Sequence, residues 1–131
     1  MGAHGVSPFQ DDDGADFVAE IAKAKDMNVI ADAVYSIPES DIEYVEGPAA
    51  TRALVAAEVI VFQLGRESGD VPDDLQDWIE GQDDPDQLLI GHAQRAVKRI
   101  LRDSELRELW KESQFYADWE ARTQSLLRRL S

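Results

Sequence analysis

Three groups of side chains in this sequence have types and spacings that could do chemistry. They are an acidic string, Asp11-Asp12-Asp13-Gly14 with Asp16 close behind; a single carboxylate, Glu58, set in an apolar stretch; and a basic stripe of Arg95, Lys98, Arg99 and Arg102. The acidic string partly fits the helix–loop–helix calcium template, which needs glycine at the sixth loop position and glutamate at the twelfth. With Gly14 in sixth place, Asp11 and Asp13 fall third and fifth and Glu20 falls twelfth. Phe9 then holds the first position, where a ligating oxygen is required, and Pro8 leaves no entering helix. The string reads instead as a helix cap, its carboxylates accepting from free N–H groups at the positive end of a helix. The enzymatic alternative is a metal-dependent hydrolase in which Asp11 to Asp16 converge, with Glu58 assisting.

Glu58 lies between Ala57 and Val59. A carboxylate buried there needs a partner or takes up a proton. The candidates are backbone N–H groups of the N-terminal arm, His92 and Arg95; a structural bond is preferred to a general acid or base, because no second catalytic group stands at a recognisable spacing. His4 and His92 are the only histidines and are far apart, so no zinc motif forms. The basic stripe recurs at i, i+3, i+4 and i+7 and is expected to pair with the chain's own carboxylates rather than with an external anion or RNA. Neither a nucleophile elbow nor a phosphate-binding glycine loop is present. These residues call for no metal and no cofactor.

The elements that would position them are helical. The acidic string opens a first helix with Phe17, Val18 and Ile21 on one face. A second follows Asp26, carries Val29, Ile30, Ala33, Val34 and Ile37, and ends at Pro38. Glu39 to Gly47 is a linker in which Ile42, Tyr44 and Val45 alternate too weakly for a sheet. Ala49 to Leu64 is apolar on nearly every side, which predicts a helix surrounded by others, with Gly65 closing it. Val71-Pro72-Asp73 starts a short helix through Leu75, Trp78 and Ile79. Pro85-Asp86 starts a longer one through Leu89, Ala93, Val97 and Ile100. Asp103-Ser104 caps another, with Leu106, Leu109 and Trp110 facing inward. The last begins near Phe115 and turns Trp119, Thr123, Leu126 or Leu127, and Leu130 inward. The expected fold is all-α: a single domain over 1–131, an irregular bundle of six or seven short helices around a central apolar one, with an ordered arm at 1–10.

The formal net charge is −14 and there are no cysteines. Residues 1–86 carry 4 basic and 21 acidic side chains, and residues 87–131 carry 9 basic and 6 acidic. Such a surface repels nucleic-acid backbones and anionic lipid. The longest apolar run, Ala53 to Phe62, is interrupted by Glu58 and falls short of the roughly 18 residues that span a bilayer. With neither a basic leader nor an apolar one at Met1 to Gly5, and no thiols, the expected location is the cytoplasm.

The opening string, Met1-Gly2-Ala3-His4-Gly5-Val6-Ser7-Pro8-Phe9-Gln10-Asp11-Asp12-Asp13-Gly14-Ala15-Asp16-Phe17, resembles that of a bacterial family catalogued as domain of unknown function number 4259. Weaker likenesses are Ala56-Ala57-Glu58-Val59, Pro72-Asp73-Asp74-Leu75 before Trp78, and Ser104-Glu105-Leu106 before Leu109-Trp110. The sequence departs at His4, where the family usually has tryptophan, and at Gln10, where it usually has aspartate. The resemblance implies a compact helical protein and brings no activity with it. It marks Gly2, Gly5, Pro8, Phe9, Asp12, Asp13, Asp16 and Glu58 as candidate motif or interaction residues.

The function expected from these features is a protein-binding module. Its acidic half would meet a basic partner, by analogy of size and charge with the immunity proteins that block basic toxins. A structural or regulatory homo-oligomer subunit is the alternative. Phe9 is expected to anchor the arm, so Phe9→Ala should cost roughly 3–5 kcal/mol by opening a cavity, measured by urea unfolding.

Overall fold

A computed structural model describes residues 5–67 and 69–131. Gly2 and His4 lie outside the described residues. The described elements are a 3-10 turn at Pro8–Gln10 and seven α-helices: α1 (Asp12–Ala22), α2 (Asn28–Tyr35), α3 (Gly47–Gln63), α4 (Asp73–Glu80), α5 (Gln87–Arg102), α6 (Glu105–Lys111) and α7 (Tyr116–Arg129). No strand occurs among the described residues.

Local chemistry explains where the helices start and stop. Asp11 caps α1, its carboxylate accepting from the Asp13 N–H at 2.9 Å. Asp86 caps α5 through the Leu89 N–H at 2.8 Å. Ser104 caps α6 through the Arg107 N–H at 3.0 Å. The end of α3 is closed by two bonds, Gly65 N–H to the Phe62 carbonyl and Arg66 N–H to the Val61 carbonyl, each 3.0 Å. Gly65, at φ +76°, supplies the left-handed residue this closure needs.

The core is built around α3. From Ala53 to Val61 no residue is more than 2% exposed. Each of the other six helices and the Pro8–Gln10 turn touches it. Phe17 and Ile21 come from α1, Ile30 and Val34 from α2, Leu75 and Ile79 from α4, and all are buried. Ala93, Val97 and Ile100 from α5, Leu106 from α6, and Trp119 and Leu126 from α7 complete the shell. Leu109, expected inside, is 56% exposed. α6 has only about two turns: it buries Leu106, keeps Trp110 partly covered against the core and leaves Leu109 outside.

The Pro8–Gln10 turn of the arm packs on α1 and α3, but Phe9 is not the buried anchor among the arm's described residues. Val6, Ser7 and Pro8 are buried, while Phe9 is half-buried at the edge of the core. The arm comes so close to α1 that a Cβ on Gly14 would lie 1.8 Å from the Pro8 carbonyl oxygen. This corrects the magnitude expected from Phe9→Ala to roughly 1–2 kcal/mol, the transfer energy of a partly covered ring. Gly14→Ala, by contrast, forces backbone against backbone and should cost about 1–3 kcal/mol, read as a lower urea midpoint with an unchanged slope.

Candidate functional site

The acidic string does not form a carboxylate pocket. Asp11 is the α1 cap, and Asp12, Asp13 and Asp16 are exposed on that helix's first turns. The second Asp11 oxygen lies 3.4 Å from the Thr51 hydroxyl on α3, which ties the cap to the core. Among the described residues no group of three or more histidine or acidic side chains is placed to hold a metal ion. Glu20, twelfth in the calcium register, is turned away by α1 to pair with Arg52 at 3.0 Å. The Arg52 guanidinium also covers the Phe17 ring, 4.3 Å from its centre.

Glu58 is 1% exposed, and His92 and Arg95 are engaged elsewhere, while residues 1–4 of the arm, whose N–H groups were among the other candidates, lie outside the described residues. Its carboxylate accepts from Arg122 Nη2 at 2.9 Å, from a helix 64 residues further along the chain. The same nitrogen reaches Asp70 at 3.1 Å. One guanidinium thus joins α3, the segment before α4, and α7. The sequence carries a signal for this that spacing within α3 could not show. Arg122 sits one turn after Trp119 and just before Thr123, at the edge of the inward face of α7. Arg95 instead pairs with Glu39 at 3.2 Å, and His92 packs edge-on against Tyr35 with ring centres 4.6 Å apart.

The basic stripe divides into surface and core. Arg95, Lys98 and Arg102 are exposed, and Arg102 pairs with Asp41. Arg99 is 3% exposed. It donates to the backbone carbonyls of Asp103 and Glu43 and, at 3.3 Å, of Ser40. With Asp41 a further 3.8 Å from its Nε, this buried guanidinium acts as a peg that holds the linker to α5. The far end of the linker is pinned to α6: Glu105 accepts from the Gly47 N–H at 2.6 Å, and the Glu105 N–H donates to the Val45 carbonyl at 2.9 Å. The Glu105 carboxylate therefore caps α3 from another helix.

Held at both ends, the linker turns two large apolar side chains outward. Ile42 is 94% exposed and Tyr44 is 67% exposed, whereas Val45 is buried. The Tyr44 phenol is held above its ordinary value of 10.0, first by partial desolvation, then by its hydrogen bond with Glu105 and the negative charges of Glu105, Glu46 and Asp103. Leu109 lies on the same side, 3.8 Å from where a Gly47 side chain would begin. Glu39, Asp41, Glu43 and Glu46 interleave this apolar strip with negative charge.

The arrangement defines the class: an all-helical bundle wrapped around one buried helix, with a buried carboxylate–guanidinium bond and a pegged acidic loop. The chain belongs to the family described as Domain of unknown function (DUF4259), which matches residues 2–122 and so takes in Glu58, Asp70 and Arg122. No curated protein and no solved structure matches the chain.

Removing Arg122 takes a cation from a buried carboxylate. Arg122→Met is therefore expected to cost about 3 kcal/mol in urea unfolding. The double variant Glu58→Gln with Arg122→Met should recover a large part of that loss.

Proposed function

We propose that this chain is a protein-binding module that presents the acidic loop between α2 and α3 to a basic partner. The observation that carries the reading is the exposure of Ile42 and Tyr44 on a loop fixed at both ends. Apolar side chains held outward side by side on an ordered loop are available to be buried against a partner. Interface energy concentrates in a few such anchors surrounded by polar residues. Because Arg99 and Glu105 already order the loop, binding loses little further conformational entropy. Glu43 and Glu46 beside the anchors select for positive charge and speed encounter with it. The chain's net charge of −14 supports the same partner sign. A role in blocking a basic toxin is the finer form of this reading; size and charge support it.

The test uses the tagged full chain as bait in lysate of its source organism, with cross-linking to identify what sits on the loop. Ile42→Ser with Tyr44→Ser, and separately Glu43→Lys with Glu46→Lys, should melt like the parent. Both should retain about tenfold less of a basic protein that the parent holds at moderate salt. Overturning outcomes are the absence of any basic partner, or one that both variants hold equally well. Sedimentation at two concentrations adds a third: self-association that the Ile42/Tyr44 variant abolishes would assign the loop to a homo-oligomer contact instead.

A further inference from the structure

On the other side of the pegged linker, α2 and α5 enclose a groove of about 230 Å³. Its floor is apolar, from Val34, Ile37 and Ala96. One wall is the Tyr35–His92 aromatic pair. Four cations line it, Arg95, Lys98, Arg99 and Arg102, against the single carboxylate Glu39. This is a positive pocket on a strongly negative protein. It is independent of the exposed loop residues Ile42 and Tyr44, which do not line it.

We propose that this groove is a binding site for a small organic anion: one acidic group joined to a flat apolar body. The volume is several times that of a water molecule and lies at or below the lower end of the range for small-molecule pockets. An acidic group would meet Lys98, which among the described residues has no carboxylate within ion-pairing distance. Arg95 and Arg102 flank it. Their present partners, Glu39 and Asp41, are 69% and 73% exposed at the side chain. Such exposed pairs are weak and readily exchanged for a better-placed anion. Arg99 keeps its carbonyls and supplies fixed positive charge behind the site. The apolar body would lie on Val34, Ile37 and Ala96, against the aromatic wall. Concave apolar surface with a few convergent polar groups is the usual form of a small-molecule site.

The probe is anilinonaphthalene sulfonate, titrated into the full chain and followed by fluorescence, with amide chemical-shift mapping by nuclear magnetic resonance. Saturable one-site binding is expected, with shifts at Ile37, His92 and Ala96. Lys98→Glu and Arg95→Ala should each weaken it about tenfold, the usual loss of one charge-assisted contact, while melting like the parent. Arg128→Glu, on exposed α7 surface, should leave it unchanged. The proposal is overturned if binding does not saturate or the shifts map elsewhere. It is equally overturned if Arg128→Glu weakens binding as much as Lys98→Glu does, or if the uncharged parent amine, phenylnaphthylamine, binds as tightly as the sulfonate.

Discussion

A negative charge inside an otherwise apolar helix has to be met, and the bond between Glu58 and Arg122 meets it. Because α3 is covered on all sides, its one carboxylate cannot reach water. The cation must come from outside the helix, and it comes from α7. That requirement fixes how α7 lies. Arg122 points at α3 only if Trp119 and Leu126 also turn inward, as they do. The same guanidinium reaches Asp70, which draws in the segment that leads to α4. Buried pairs of this kind add little net stability over an apolar substitute, but one left incomplete is costly. The pair is completed only in the packing of α7 that also buries Trp119 and Leu126.

The linker between α2 and α3 obeys a similar economy of polar groups. Its Ser40 and Glu43 carbonyls accept from Arg99, its Val45 carbonyl accepts from the Glu105 N–H, and the Gly47 N–H that follows it donates to the Glu105 carboxylate. With these backbone groups held, the loop is ordered by polar contacts more than by apolar burial. Its large side chains can therefore face water, with only Val45 turned into the core. Rigidity and exposure, which normally exclude each other in a loop, are combined by two side chains from neighbouring helices.

Much of the fold was legible in the sequence, because helix boundaries depend on neighbours along the chain. The caps at Asp11, Asp86 and Ser104, the stop before Pro38 and the closure at Gly65 are all local events. So is the apolar character of α3, which showed that the helix had to be surrounded. Arg122 was not legible as a partner of Glu58, since it lies 64 residues away and nothing in α3 specifies it. His92 and Arg95 were reasonable candidates that α5 turns toward α2 and the linker instead. Phe9 and Leu109 misled for a related reason. Residue type shows an affinity for the core, but the length of the arm and of α6 decides which side chain reaches it. Arg99 was grouped with a surface stripe because its charge hid its position beside Ala96 and Ile100 on the buried face.

The coverage of α3 also bears on how the chain is made. A ribosome delivers α3 before α5, α6 and α7, the helices that shield much of it. Until they emerge, a greasy rod is open to other nascent chains, and such intervals are when aggregation begins. The residues already translated through position 86 carry 21 acidic side chains against 4 basic ones. Like charge of this density opposes close approach of two such segments. The segment that carries the buried helix is thus also the one that carries the excess negative charge, and the last walls that close over the helix come from the less acidic half.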